Sequence, residues 1–470
     1  MRTLLFVVIA ALMAGCGDSA APARDLGSVD ALTTRDGNTA DAGTDVGGDA
    51  AAIDDSGLDL AIVRDASMDA ARGDCVAGES AACYAGLAET LDVGACRAGT
   101  RSCASDGRWG ECLGAVVPLA EVCGNGLDED CNGSADDTVD VDGDGFTRCS
   151  GDCCDDVAGC PMPALVNVAA MELATPVGAA PIDDDCDGAI DELDLACDAG
   201  LAIDGAAPDA ARTLGLCASV TSAAPSGLVR ATYTRANGAA AALLSQSGIL
   251  PSFGANLVPQ DGSALFALSS GRARASADPG ACGGPSCTGL GVGVTPVGWP
   301  WSHSCRTGVT TTIVDDAALE LVLRVPSNAG GFEVDYAFLA HDYPGTLCSA
   351  FNDTFAITVA PPTPDLPANT NVAFDASGEP ITPNSAFMDA CSTCALGASS
   401  LVGTGFETSG GTHWLRTTVP VVAGTTIVVR FVIADSGDAN QDSTVVLDRF
   451  RWRPVTLPTT LLTERVAAPL

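Results

Sequence analysis

Asp140, Asp142 and Asp144 stand at alternate positions and are followed by Gly145. Carboxylates spaced this way in a tight loop turn inward on one point, and a glycine at the sixth position supplies the sharp bend. That is a ligand arrangement for a hard divalent cation, calcium above all, which takes about six to eight oxygens. An EF-hand would close with Glu at its twelfth position. Here that position is Gly151, so the loop is not an EF-hand, and Asp152, Asp155 and Asp156 are expected to complete the shell from the next turn.

The surroundings repeat the chemistry. Leu127, Asp128, Glu129, Asp130, Cys131, Asn132, Gly133 and the residues through Asp137 match, without gaps, the stretch from Ile182 through Asp183, Asp184, Asp185, Cys186, Asp187 and Gly188 to Asp191 and Glu192. Asp128, Asp130 and Asp136 in the first copy, and Asp183, Asp185, Asp187 and Asp191 in the second, are candidate ligands of a second kind of site. Residues 121–198 hold 21 acidic side chains against one cation, Arg148, a net charge of −20. Carboxylates packed so densely repel one another, so metal binding and folding are expected to be coupled here. Nitrogen and sulfur donors would select copper or zinc. No His precedes His303, and Met162 and Met171 are the only Met residues in this stretch, so calcium is expected and copper is not.

The elements that must hold these residues follow from composition. The chain has 470 residues, 60 Asp and Glu, 22 cations that are all Arg, and a formal charge of −38. Such a balance excludes nucleic acid as a main partner, since phosphate backbones need clustered cations. Residues 4–14 are apolar but too short to span a bilayer, and Met13, Ala14 and Gly15 lead to Cys16 as at an export cleavage site. Export leaves twenty of the 21 cysteines in an oxidising compartment, where disulfides are the default. Residues 17–74, rich in Asp, Ala and Gly and without aromatics, cannot offset their ordering entropy and read as a disordered tether. Residues 75–120 form a Cys/Gly-rich disulfide piece, with short strands expected at 101–103 and 108–112 around Asp106 and Gly107, and Trp109 as its apolar plug. Its cysteines lack zinc-ribbon spacing.

Residues 121–198 are the acidic metal-binding repeats, 199–211 a linker, 212–455 a β domain and 456–470 a tail. The fold class is mainly β, with a β-sandwich or jelly roll at the C-terminal end. Leu319, Leu321, Leu323 and Val325 alternate with Glu320, Val322 and Arg324, and Phe332, Val334, Tyr336 and Phe338 alternate with Glu333 and Asp335. Further strands are expected at 355–359, 426–433 and 444–452.

Three resemblances sharpen this reading. Residues 13–16 resemble a bacterial lipobox, which implies lipidation of Cys16; Gly17 after it implies the outer membrane and the cell surface. Residues 121–192 resemble the MopE-type metal-binding motif of bacterial surface proteins, matched by Cys123, Gly126, Asp128, Asp130, Cys131, Gly133, Asp136 and Asp137, by Asp140 to Phe146 and by Asp152 to Asp156. The second copy lacks a Cys eight residues before Cys186, and 163–181 reads as an insertion, so this copy is expected to be degenerate, with Cys160 or Cys197 as a substitute partner. The β domain is similar to the choice-of-anchor L domain, on His341-Asp342-Tyr343-Pro344, Phe351-Asn352-Asp353-Thr354-Phe355 and Asp435 to Val445. There Asp342, Asp353, Asp435, Asp438 and Asp442 are either a second metal site or loop-capping groups.

Together these features predict a lipid-anchored surface protein with a structural or adhesive role, binding metal ions and an extracellular protein or glycan. Metal sequestration is the alternative. A hydrolase built on Ser436 with His303, His341 or His413 is a minor one, because the chain lacks the zincin, P-loop and nucleophile-elbow motifs, and the protein is expected not to be an enzyme.

Overall fold

The computed structural model describes residues 75–119, 121–136, 139–155, 160–174, 179–192, 196–222, 224–243, 245–287, 293, 295–296, 299, 304–305, 312–362 and 371–466. The expected signal peptide with Cys16, the tether, Asp137, Asp156 and His303 lie outside these residues.

Near the start, β1 (Ser80–Cys83) pairs antiparallel with β2 (Gly99–Ser102). The strands of the large β region are β3 (Gly227–Thr234), β4 (Ser247–Leu250), β5 (Leu265–Ser269), β6 (Ile313–Arg324), β7 (Ala329–Ala340), β8 (Thr354–Ala360), β9 (Gly410–Gly411), β10 (Leu415–Pro420), β11 (Thr426–Ser436), β12 (Ser443–Pro454) and β13 (Leu462–Arg465). They form two antiparallel sheets, β13-β10-β7-β12-β5-β4 with β9 beside β7, and β3-β6-β11-β8. The expected alternations hold. Leu319, Leu321 and Leu323 of β6 share one core with Phe332, Val334, Tyr336 and Phe338 of β7 and with Ile427, Val429, Phe431 and Ile433 of β11. Tyr336 and Phe355, one from each sheet, meet with ring centroids 4.8 Å apart.

The acidic residues of the alternation, Glu320, Glu333 and Asp335, face away from that core, yet they are buried. Glu320 lies between Arg230 at 3.2 Å and Arg430 at 2.5 Å. Asp335, fully buried, takes two hydrogen bonds from Arg416 at 2.7 and 2.9 Å, and Glu333 pairs with Arg453. A guanidinium presents several donors in a rigid fork and is weakly hydrated, so arginine suits these covered ion pairs.

Several boundaries differ from expectation. Residues 199–211 are no free linker: α1 (Ala207–Thr213) begins there, and Ala207, Ala210, Ala211 and Leu214 pack into the main core. Small side chains on one face let the helix lie close to the sheet. The tail contains β13, which pairs with β10 and buries Thr463 against Thr417 at 2.9 Å. Strands β4 and β5 escape an alternation test because they are buried on both faces. In the disulfide piece the Asp106-Gly107 turn is present, with Ala104 N donating to Arg108 O at 2.8 Å, but the partner of β2 is β1 and the 108–112 side contributes only isolated bridges. Trp109 is half-exposed beneath the Arg101 guanidinium, 4.7 Å from its ring centroid, and the buried plug is made by Cys96, Cys103 and Cys131 instead.

Ten disulfides use twenty cysteines: Cys75–Cys103, Cys83–Cys112, Cys96–Cys131, Cys123–Cys149, Cys153–Cys186, Cys154–Cys160, Cys197–Cys217, Cys282–Cys287, Cys305–Cys348 and Cys391–Cys394. Cys186 thus pairs with Cys153, and neither Cys160 nor Cys197 replaces its missing upstream neighbour. Cys391 and Cys394 close a short loop, as their spacing predicts.

Because Phe355 sits at the meeting of the two sheets, Phe355→Ala removes ring contacts that neither sheet refills. It is expected to destabilise the sandwich by about 3–5 kcal/mol, read as a lowered guanidinium midpoint in tryptophan fluorescence.

Candidate metal centre

Three six-residue loops, at 128–133, 140–145 and 183–188, share one sequence pattern, Asp-x-Asp-x-(Asn/Asp)-Gly, and one hydrogen-bond ladder. The sixth-position glycine amide donates to the first carboxylate: Gly133 to Asp128 at 2.9 Å, Gly145 to Asp140 at 2.9 Å and Gly188 to Asp183 at 3.0 Å. The fifth-position amide donates to the same residue, from Asn132 at 3.1 Å, Asp144 at 3.2 Å and Asp187 at 3.1 Å. It also reaches the third carboxylate, on Asp130, Asp142 and Asp185, at 3.0, 3.1 and 3.2 Å.

The backbone repeats too. The fourth residues, Cys131, Gly143 and Cys186, have φ of 64°, 80° and 58°, and the sixth-position glycines have φ of 99°, 96° and 96°. A left-handed conformation favours glycine. The two cysteines that adopt it are both tied down by disulfides. The sequence repeat, aligned on Cys131 and Cys186, sets the Asp140 loop apart as a different site. The structure makes all three the same loop, with Gly143 where the others carry cysteine.

Each loop is met by acids from outside it. Carboxylate oxygens of Asp140, Asp142 and Asp144 lie within 4.8 Å of one another, and those of Asp142, Asp152 and Asp155 form a second such group that shares Asp142. Asp156, expected beside them, is outside the described residues. In the first loop Asp128 and Asp130 group with Glu121, and in the third Asp183 and Asp185 group with Glu172. Sequence reasoning missed both glutamates, which lie seven and eleven residues before their loops. Glu121 Oε1 accepts the Asp130 amide at 3.0 Å, and Glu172 Oε1 accepts the Asp184 and Asp185 amides at 2.6 and 3.2 Å. Asp136 serves the turn before its loop, accepting the Asn125 and Gly126 amides at 3.0 and 3.1 Å, and Asp191 donates its amide to Glu172 at 2.9 Å.

The electrostatics are those of acids without a counter-charge. Burial pushes Asp152 up to about 6, with the charges of Asp144, Asp155 and Asp142 adding to it against the Cys154 amide. Burial does the same to Asp185, also to about 6, reinforced by Asp187, Glu172 and Glu192. Asp142, Asp184 and Glu172 are shifted upward, again chiefly by burial. Asp142 Oδ2, Asp152 Oδ2 and Glu121 Oε2 are buried and accept no hydrogen bond among the described residues. An all-oxygen set with buried, unused lone pairs fits a hard divalent cation such as calcium.

The loops are joined to the sandwich through Asn167, which is fully buried. Its Nδ2 donates to Asp144 Oδ2 at 2.7 Å, its Oδ1 accepts the Ser327 hydroxyl at 2.8 Å, and its amide donates to Asp184 O at 3.0 Å. Ser327 and Asn328 form the turn between β6 and β7, and Asn328 bonds both polar backbone groups of Met171 at 2.9 Å.

In the sandwich, Asp342, Asp353, Asp435 and Asp442 are all buried, whereas Asp438 is half-buried on a loop and accepts the Asn440 amide at 3.2 Å. Cys282, Cys287 and Asp442 also lie together, but the two cysteines are disulfide-bonded and offer no thiolate. Beside Asp442 opens a cleft of about 530 Å³ lined by Arg272, Arg274, His341, Tyr343 and Phe406 among others. His341 stacks on Phe406 at 4.1 Å and pairs with the Ser409 hydroxyl at 2.9 Å, and burial pushes its imidazole down to about 4.

A mainly β, disulfide-stapled chain with acidic loops seated on a sandwich is the class of protein that this fold and these sites define. Within it, residues 269–450 match the family model of the choice-of-anchor L domain, a module of cell-surface proteins. β3, β4 and all but the last residue of β5 precede the matched segment yet complete both sheets. No curated protein matches the chain. Two solved structures are similar to part of it: TmCBM61 in complex with β-1,4-galactotriose, at 7% identity and a TM-score of 0.19 over 48% of this chain and 90% of that one, and the K2 cleaved adhesin domain of Lys-gingipain, at 14% identity and 0.21 over 47% and 88%. No described helix is long and apolar enough to cross a membrane.

Asn167→Ala leaves Asp144, Ser327 and the Ala169 amide without their partner. The expected cost is about 1–3 kcal/mol, with faster hydrogen exchange at the Ser327 and Ala169 amides than at core strand amides of β6.

Proposed function

We propose that this is a lipid-anchored surface protein of structural or adhesive role, in which calcium-loaded loops hold the β-sandwich in a fixed attitude for binding. The observation that carries the reading is the path from loop to sandwich: the Asp144 carboxylate grips Asn167, and Asn167 grips Ser327. Calcium drawing Asp140, Asp142, Asp144, Asp152 and Asp155 together would fix the carboxylate that orients Asn167. Its charge would also relieve the repulsion that burial and crowding impose on these acids. Sequestration alone gives no role to a buried asparagine that spans the two parts.

The cleft beside Asp442 is the candidate contact surface. Arg272 supplies charge, Tyr343 and Phe406 supply ring faces, and Ser276, Thr408 and Ser409 supply hydroxyls. Such a mixture suits a hydroxylated ligand, an extracellular glycan or a polar protein loop. A binding role is favoured over the hydrolase alternative by Ser436, whose Oγ is buried without a hydrogen-bond partner among the described residues, and by His341, which is engaged with Ser409.

Two measurements test the proposal. Limited proteolysis of the whole protein with and without chelator should open residues 121–192 only when calcium is removed, while the sandwich persists. Unchanged cleavage, or protection restored by copper and not by calcium, sinks the calcium stalk. Many weak sites without any change in protection would establish sequestration instead. For the anchor, Cys16→Ser should abolish fatty-acid labelling and release the protein from the membrane fraction; retained labelling removes the lipid anchor from the reading.

A further inference from the structure

The end of the sandwich where β7 and β11 finish and β8 and β12 begin collects a different set of acids. Asp353 precedes β8 and Asp435 closes β11, both in the four-stranded sheet, and a register shift falls between Ile433 and Asp435. Asp342 follows β7 and Asp442 precedes β12 in the opposite sheet. Their exposures are 1%, 0%, 2% and 4%. Asp353 ties the sheets directly: its Oδ1 accepts the Ser436 amide at 3.3 Å and its Oδ2 accepts the Ser443 hydroxyl at 2.6 Å.

Asp435 is the anomaly. Neither of its oxygens accepts a hydrogen bond, although the residue is completely buried. The Ser270 hydroxyl and the Asp353 carboxyl lie close enough to act on its charge, and the charges of Asp442 and Asp315 bear on it. Asp442 Oδ1 is unpartnered as well. Three buried carboxylates of the sheets are neutralised by arginine: Asp316 with Arg235 at 2.6 Å, Asp335 with Arg416 at 2.7 Å, Glu320 with Arg430 at 2.5 Å. Among the described residues no cationic side chain pairs with Asp342, Asp353, Asp435 or Asp442.

An unpaired buried carboxylate costs several kcal/mol, and adjacent ones cannot all ionise without a positive charge. Either protons or a cation must supply it. The unused oxygens of Asp435 and Asp442, with Asp353 and Asp342 beside them and the Ser270 and Ser443 hydroxyls near, form an oxygen-only donor set that selects a hard ion. We propose that Asp342, Asp353, Asp435 and Asp442 hold a calcium-class cation that clasps the two sheets together, separate from the three acidic loops. The site goes beyond the calcium stalk and stands without it. Burial, reinforced by Asp435 and Asp342, drives Asp353 well above the usual carboxylate range when no ion is present. Asp442 also lines the cleft, so the ion would brace the wall of the contact surface.

The test uses the whole protein and calcium alone. A loop variant carrying Asp128→Asn, Asp140→Asn and Asp183→Asn removes the first ligand of each loop. It is expected to retain about one calcium per chain after gel filtration, and calcium should still raise its melting temperature. Adding Asp435→Asn should abolish both effects, while in chelator this variant melts no lower than its parent, since an amide replaces a buried charge. Infrared difference spectra of the loop variant give a readout that does not depend on Asp435→Asn folding: calcium should replace carboxylic-acid bands with carboxylate bands. No calcium on the loop variant, the same calcium content with and without Asp435→Asn, or acid bands that calcium leaves unmoved would overturn the site in favour of shared protons. Failure here leaves the protease test of the acidic loops untouched, so the two readings fall separately.

Discussion

Uncompensated negative charge is the constraint on which the rest of this structure depends. With 60 acidic residues and 22 arginines, the chain cannot neutralise itself through side chains. Its arginines are concentrated on the sandwich, where Glu320, Glu333 and Asp335 lie under guanidiniums and the sheets can close around them. The region 121–198 has Arg148 alone. There the backbone takes over part of the work, with amides of every loop aimed at the carboxylates. An amide dipole offers only a partial charge, however, and the upward shifts of Asp152 and Asp185 show that it does not suffice.

The loops therefore need a covalent frame that keeps repelling groups in place. Apart from the local Cys154–Cys160 bridge, the disulfides of this region cross from one unit to the next. Cys96–Cys131 ties the disulfide piece to the first loop, Cys123–Cys149 spans the first and second, Cys153–Cys186 joins the segment after the second loop to the third, and Cys197–Cys217 binds the end of the module to the sandwich side. Bridges of this kind restrict the unfolded ensemble, each by about 2–4 kcal/mol. They set which loop neighbours which, and the Asn167 contact, with a cation at each loop under the proposed reading, would fix the loops against the sandwich.

Much of this was legible in the sequence, for reasons that also explain the failures. The alternation in 319–325 and 332–338 exposes strands with one apolar face, and those strands form the centre of the core. β4 and β5, buried on both faces, carry no alternation and read as nothing in particular. Asp140, Asp142 and Asp144 were visible because ligands inside a loop are local. Glu121, Glu172 and Asn167 were not, because their roles come from contacts made across insertions of unrelated length. The three-fold identity of the loops was masked by aligning on cysteine, although the shared requirement lies in the backbone: a left-handed fourth residue and a left-handed glycine at the sixth. Either cysteine or glycine meets the first requirement, and only the structure shows that they are interchangeable here.

The same logic separates the two kinds of acidic site. A loop site is built around six consecutive residues, so the loss of an ion there would relax a local turn. The sheet-end site draws on Asp342, Asp353, Asp435 and Asp442 from both sheets, and water cannot reach Asp435 to solvate it. Its charge must be cancelled before the sheets can close, which places neutralisation inside the folding of the sandwich rather than after it. A protein so arranged would have a core that sets once and loops that answer to the ions outside. That division would let an external cation stiffen the path from Asp144 through Asn167 to Ser327 without reopening the β-sandwich that it carries.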